Sequence, residues 1–295
     1  MNEIEKTLNR RIGQLLKGSE REIAKHYAQI LKDIRALLAV YYEKYEQGGE
    51  LSLEELAKYN RLQRLNHEIK EMFQGGFGEV GKVINQTLED VYEEGYYLTA
   101  WAISNEANVE LPTALKPELV LASVANPITG LTLNERLEKN RGAIEWKIRE
   151  TVTKSVVEGT PYGTLAKDLK EVLEGDEVKA MRIVRTEVHR VSEEAKQASR
   201  EHAHELGIIQ VKKWLSMEDE RVRSSHEMLN NKKVPVDEPF EIRGMEAMQP
   251  GGFGVAREDI NCRCITTTEI VEIVNKDLKE RTSKTYEEYV KGAKK

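Results

Sequence analysis

Cysteine is nearly absent from this 295-residue sequence: there are two, Cys262 and Cys264, separated by a single arginine. Two cysteines cannot build the multi-bridge framework that stabilises small secreted domains. The N-terminus also lacks the basic start and the apolar stretch of a secretory signal. The sequence therefore predicts a protein that folds and assembles in a reducing cytoplasm.

Long apolar runs and an excess of positive charge are missing as well. No run approaches the roughly 18 to 20 apolar residues of a membrane span, so no membrane partner is expected. The formal net charge of −6 gives no global attraction to nucleic acid, so any contact with DNA has to be local. Charged residues make up 33% of the chain and its apolar residues are periodic, which predicts a soluble, helix-rich protein.

Apolar residues recur at spacings of three and four along the first hundred residues, which predicts long amphipathic helices. Ser19 opens a capping-box pattern, so the first helix is expected from there to the glycines at 48–49. Ser52 starts a second helix in the same way, and this helix is expected to end at the glycines of 75–76. A third helix is expected over about 79–106.

Three prolines and a glycine then interrupt the helical pattern, because proline removes a backbone donor and cannot continue a helix. They are Pro112, Pro117, Pro127 and Gly130, and they predict a boundary or hinge. Beyond this boundary, helices are expected over about 132–158, 165–173 and 177–206.

After Gly207 the sequence takes on the alternation and the β-branched residues of strands. Strands are expected at 208–214, 239–242 and 264–271, so the fold class is α+β: long N-terminal helices followed by a small module with a short, mainly antiparallel sheet. Three regions are predicted: a helical N-terminal region (1–130), the α+β module (131–272) and a charged C-terminal tail (273–295) forming a mobile helix or arm.

The two cysteines admit three interpretations. A disulfide between residues two apart would be strained, so it is discounted. A zinc site is a second interpretation, because two thiolates near His226 supply the ligands that zinc prefers. Paired zinc cysteines, however, more commonly have two to four residues between them. The spacing favours packing roles instead, with one cysteine in the core and the other on the opposite face of a strand. No other cofactor is expected.

Two further groups of polar residues could carry chemistry. Asp219, Arg221 and His226 could hold a phosphate or act as acid and base, but a loop leading into a short helix, with Asp219 paired to an arginine, is favoured. Arg185 and Glu187 lie on one helix without sharing a face, so one of them is expected to point into the α+β module and form a buried ion pair. No catalytic residue is assigned.

In its order and spacing of residues, the region from about 155 to 270 resembles the phage head morphogenesis family of minor head proteins, named for protein F of phage Mu. The residues that carry the resemblance are Gly159, Leu165-Ala166, Leu169, Arg185-Thr186-Glu187, Trp214, Asp219-Glu220-Arg221-Val222-Arg223, His226, Phe240, Pro250 and Asn261-Cys262-Arg263-Cys264.

The resemblance implies a low-copy structural protein of the virion rather than an enzyme. Its implied partners are the portal protein and the major capsid or scaffolding protein, and it could also contact packaged double-stranded DNA. The implied location is the capsid interior near the portal, reached from the host cytoplasm during head assembly, with a role in DNA packaging or ejection. The alternative is an enzyme carried in the head, a nuclease or nucleotide-dependent transferase using Arg185, Glu187, Asp219 and His226.

Overall fold

The structure is a computed structural model that describes residues 3–112, 115–126, 128, 130–282 and 285–294. Its helices are α1 (Glu3–Tyr45), α2 (Leu53–Ala57), α3 (Arg61–Ala107), α4 (Pro117–Ala125), α5 (Leu133–Glu158), α6 (Tyr162–Glu205), α7 (Ser224–Glu227), α8 (Ala256–Asp259) and α9 (Tyr286–Ala293). Its strands are β1 (Ile208–Leu215), β2 (Lys233–Pro235), β3 (Phe240–Ile242), β4 (Met245–Ala247) and β5 (Ile265–Ile273). The predicted α+β class, with long helices first and a small antiparallel sheet after them, is confirmed.

The chain divides into two compact units, each assembled from separate segments. The first unit contains Met1–Lys17, Gln86–Thr132 and Val184–Lys295, and the second contains Gly18–Asn85 and Leu133–Ile183. Three of the four boundaries between the segments therefore fall inside α1, α3 and α6, and the fourth lies directly before α5. These units combine separate segments, whereas the three regions expected from the sequence are continuous stretches of chain. The division into three regions therefore stays a prediction. No helix within the described ranges is long and apolar enough to cross a membrane.

In the second unit, two predicted helix ends are wrong. The helix expected to begin at Ser19 already runs from Glu3, and Ser19 is a buried residue inside it. The helix expected to end at the glycines of 75–76 continues through them as α3. A Cβ at Gly76 would lie 2.5 Å from the side chain of Ile30, so glycine here allows close approach to α1.

The chain turns instead between α2 and α3. Ser52 caps α2 as predicted, accepting a hydrogen bond from the backbone of Glu55. Tyr59 and Asn60 follow in the left-handed region, with φ of 55° and 56°, and they reverse the chain before α3 begins.

The helices expected over about 165–173 and 177–206 form one continuous helix, α6. Near the expected break, the carboxylate of Asp176 is buried and accepts hydrogen bonds from the Tyr27 hydroxyl (2.7 Å) and the Asn140 amide (3.3 Å). Burial raises the pKa of Asp176. This tertiary contact places a polar residue inside the core, where the sequence pattern indicated a break.

The first unit contains the sheet. β1 is central and pairs antiparallel with β2 and β5, while β3 and β4 form a separate antiparallel pair. The predicted strands at 208–214, 239–242 and 264–271 correspond to β1, β3 and β5, and Gly207 closes α6 with φ of 92° as expected. The three-residue strands β2 and β4 were not predicted.

Two other segments differ from expectation. Pro117 opens the short helix α4 inside the predicted proline boundary, which suits proline because the first helical residue needs no N–H partner. Pro127 lies outside the described residues. In the tail, a helix is present as α9 and it is packed: Tyr286 and Tyr289 are buried, and the Tyr286 hydroxyl donates to Glu94 at 3.1 Å.

Candidate functional site

The most concentrated chemistry in the first unit lies where three soft ligand atoms meet. Nδ1 of His226 is 3.4 Å from Sγ of Cys264 and 3.6 Å from Sγ of Cys262. The three ligand atoms come within 4.8 Å of one another, and all three residues are buried. The structure thus brings together the three residues that the sequence singled out for a metal.

Local backbone geometry explains why both sulfurs point the same way. The prediction that the cysteines occupy opposite faces of a strand is wrong, because β5 begins only at Ile265. The tetrapeptide before it is irregular: Asn261 lies in a turn with a φ of 57°, and its N–H donates to the Thr186 hydroxyl at 3.3 Å. Without strand alternation, Cys262 and Cys264 both face His226. They are free thiols.

Contact between the sulfurs separates their acidities. The hydrogen bond from Cys262 lowers the pKa of Cys264 to about 5, with His226 adding to the effect. The same contact, together with burial, raises the pKa of Cys262. The pair therefore holds one negative charge more readily than two isolated buried thiols would.

The other ring nitrogen of His226 faces a carboxylate. Nε2 lies 3.2 Å from Oε2 of Glu258, an ion-pair distance, although the angle is not that of a hydrogen bond. Glu258 is buried and its Oε2 also accepts from the Ser225 hydroxyl at 2.9 Å. The histidine is thus oriented from both sides, with thiols at Nδ1 and a carboxylate at Nε2.

Aromatic rings enclose the cluster. Trp214 is fully buried, and its ring meets the His226 ring edge-on with 5.6 Å between centroids. Phe240 and Phe253 pack on Trp214 at 5.2 and 6.1 Å. The loop that brings Phe253 inward is held by buried Asp259, whose carboxylate accepts from the backbone N–H groups of 253 and 255.

Asp219 lies at the surface and performs the pairing role that the sequence favoured. It accepts two hydrogen bonds from Arg263, at 2.5 and 2.6 Å, and one from the backbone N–H of Arg221 at 3.0 Å. Because of Arg263, the pKa of Asp219 is lowered to about 2. Its carboxylate is occupied by these hydrogen bonds. Its pKa also lies far below the value near 7 that suits a general base.

Glu187 is the member of its pair that points inward, and Arg185 is exposed. The partner of Glu187 is Arg190, whose Nε donates to it at 2.9 Å with both side chains buried. Arg190 also donates to Glu194 and to the backbone carbonyl of Ser123, each at 2.6 Å. The expected buried ion pair exists, but with an arginine that the sequence pattern did not single out.

Beside the cysteines runs a groove with a strongly basic lining. Arg185, Arg221, Arg223 and Arg263 contribute guanidinium groups to it, and His189 lies among them. Arg223 also donates to the Ile260 carbonyl, which fixes its position. A concentration of arginines on a chain of net charge −6 provides a local surface for anions.

Sequence reasoning missed a second polar centre between α6 and β5. The buried carboxylate of Glu193 accepts from Thr266 through its N–H (3.0 Å) and its hydroxyl (2.9 Å) and is paired with Lys196. Arg200 donates to the hydroxyl and the carbonyl of the same threonine. On a helix, Glu193 and Lys196 look like an ordinary exposed i, i+3 pair, so no sequence signal marked them as buried.

Comparisons with known proteins include the residues of the candidate site. A family model described as phage Mu protein F like protein matches residues 146–267. Minor head protein GP7 of Bacillus phage SPP1 is 30% identical over 262 residues, which make up 87% of this chain and 84% of that protein.

A second similar protein carries an enzymatic name. NAD(+)–arginine ADP-ribosyltransferase EFV of Enterococcus faecalis is 35% identical over 265 residues, which make up 89% of this chain and 54% of that protein. The chain thus spans about half the length of this relative. No solved structure matches the chain.

Proposed function

The chain belongs to the phage minor head proteins of the Mu protein F-like family, and on that premise we propose that it acts beside the portal, on the inner side of the capsid. Membership confirms the resemblance carried by the residues from 155 to 270 and places the protein among the structural components of head morphogenesis. It is accordingly a protein of the virion that interacts with other head components. The portal, the scaffolding or major capsid protein and packaged DNA are the proposed partners.

The observation that carries this proposal is the extent of the match to a minor head protein, which takes in 84% of that relative. The alignment includes the helical segments as well as the α+β module, so the likeness extends well beyond a shared small domain. Assembly would begin in the host cytoplasm, where the head is built.

Exposed apolar side chains support a partner for the helices of the second unit. On α5, Trp146 is 62% exposed and Val157 is 60% exposed, and Val178 on α6 is 70% exposed. Large exposed aromatics are common anchors of protein interfaces. We propose that the portal contact uses these exposed side chains of α5 and α6.

The arginines of the groove support a contact with DNA. Phosphate contacts come mainly from arginine and lysine, and they are weakened by salt because binding releases counterions. Arg185, Arg221 and Arg223 would supply such contacts locally despite the acidic whole. A role in packaging or ejection would use this surface.

The first experiment is quantitative mass spectrometry of purified heads. We expect this chain at low copy number, close to that of the portal protein, together with co-purification of the two when they are co-expressed. Trp146→Ala should reduce that co-purification, whereas Lys139→Ala, an exposed change on the same helix, should not. Absence of the chain from every particle would refute the proposal.

The alternative to a structural role is an enzymatic one, because one similar protein is named as an arginine ADP-ribosyltransferase. We propose that this chain lacks that activity. Glu187 and Asp219, the acidic residues that an enzyme was expected to use, are bound to Arg190 and Arg263, and the match leaves nearly half of that relative outside. Incubation with labelled NAD⁺ and an arginine-containing acceptor protein tests this: transfer of label above that of a heat-denatured sample would overturn it.

A further inference from the structure

The cluster of two cysteines and one histidine has the chemistry of a metal site. We propose that Cys262, Cys264 and His226 bind one zinc ion, which stabilises the α+β module. This site goes beyond the role in head assembly and does not depend on it. The argument rests on the distances between the ligand atoms, on their surroundings and on the elements that they join.

The distances fit a common tetrahedral centre. With Zn–S of about 2.3 Å and Zn–N of about 2.05 Å, the sulfur and nitrogen ligand atoms of one tetrahedral zinc ion lie about 3.6 Å apart. The observed separations from His226 Nδ1 are 3.4 Å to Cys264 and 3.6 Å to Cys262. Two sulfurs and one imidazole nitrogen at these separations surround a single point that a cation can occupy.

The surroundings match what a zinc-binding histidine needs. A histidine that binds zinc usually presents its other nitrogen to a carboxylate, which fixes the ring and raises its basicity. Here Nε2 of His226 lies 3.2 Å from buried Glu258. The Trp214, Phe240 and Phe253 rings make the remaining wall apolar, which protects metal–thiolate bonds from water.

A further nitrogen donor lies nearby on α6. Nε2 of His189 is a buried atom without a hydrogen-bond partner in the described part of the chain. Burial lowers the pKa of His189, which favours the neutral imidazole that can bind a metal. His189 and Cys262 line the same groove, so a fourth ligand can reach the cluster from that side.

Zinc here would join elements that the sheet alone holds weakly. His226 belongs to the four-residue helix α7, and Cys264 directly precedes β5. Strands β2, β3 and β4 have only three residues each, so this part of the module has few ladder hydrogen bonds. Three ligands from two distant segments would fix this irregular region, as structural zinc does in small domains.

The test begins with the full wild-type chain, expressed with zinc in the medium and purified under reducing conditions. Elemental analysis should find about one zinc per chain. After removal of zinc by a chelator, added Co²⁺ should give the thiolate-to-cobalt charge-transfer band and the intense visible bands of a tetrahedral sulfur site. Chelation should lower the melting temperature by roughly 5 °C or more, and added zinc should restore it.

Variants then assign the ligands. Cys262→Ser, Cys264→Ser and His226→Asn should each reduce zinc affinity by at least about tenfold, because changing even an outer partner of a zinc ligand has an effect of that size. His67→Gln, a change at an exposed histidine on α3, should leave one zinc per chain. Because a ligand variant can fail to fold, the wild-type measurements decide: a folded wild-type chain without zinc and without the cobalt bands overturns the proposal, whatever happens to head assembly.

Discussion

The buried ion pair between Glu193 and Lys196 predicts a large loss of stability when only one partner is changed. Both side chains are almost fully buried, at 1% and 6% exposure. Glu193→Gln would leave the Lys196 ammonium in the interior without its counter-charge. Breaking a buried pair in this way costs about 3–5 kcal/mol in the free energy of unfolding, because the remaining charge stays desolvated.

Replacing both partners should cost much less than the two single changes together. In Glu193→Gln combined with Lys196→Met, the Lys196 charge is removed together with its partner. Buried Arg200 keeps its hydrogen bonds to Thr266, and glutamine can still accept from Thr266. We expect the double variant to recover at least about 2 kcal/mol relative to the sum of the single variants. Urea unfolding followed by circular dichroism measures the free energy of unfolding of each variant. The comparison requires that this free energy falls with urea concentration at the same slope in all variants.

A matched control is available on the surface. Glu79 and Lys82 have the same i, i+3 spacing and a distance of 2.7 Å, but their side chains are 50% and 75% exposed. Glu79→Gln should leave the unfolding midpoint unchanged within error, since solvent screens such pairs. If Glu193→Gln behaves like this control, or if the two single effects simply add, burial does not govern the pair and the reasoning is refuted.

Three further predictions concern buried side chains. Trp214→Ala should cost about 3–5 kcal/mol in urea unfolding, because a fully buried indole is removed; a loss under about 1 kcal/mol would contradict its place in the core. Burial lowers the pKa of Lys212 to about 8 despite Glu201, Asp237 and Glu238, so the unfolded chain binds the extra proton between pH 8 and 10.5. Wild-type stability should therefore rise over that window, by up to about 3 kcal/mol relative to Lys212→Met, and parallel pH curves would exclude the effect. Tyr27→Phe should cost about 1–3 kcal/mol by removing a donor from buried Asp176, whereas exposed Tyr59→Phe should be neutral in thermal melts.

Periodicity in the sequence predicted helix faces well and helix ends poorly. The apolar residues of α1 lie in the core as their spacing indicated, since Ile23, Ile34 and Leu38 are fully buried. Ends depend on contacts that a local pattern does not contain. The capping-box pattern at Ser19 predicts a helix start there. The helix begins earlier, because Leu8 and Ile12 upstream of Ser19 are also buried.

The candidate site shows the same limit. Sequence reasoning named all three members of the thiol–imidazole cluster, because cysteine is so rare that two together are conspicuous. It placed the sulfurs on opposite faces by assuming a strand, and the left-handed Asn261 removes that assumption. Glu193 and Arg200 could not be recognised, since charged residues on a charged helix look solvated until β5 is seen to cover them.

The close approach at Gly76 has a consequence for how the length of this chain can vary. One inserted or deleted residue turns the rest of a helix by about 100°. Such a change within α3, between Leu65 and Gly76, would move the glycine away from Ile30 and bring a side chain into its place. Relatives should therefore keep a constant number of residues across this stretch, whereas the exposed turn at 46–49, which lies outside α1 and α3, can absorb length changes.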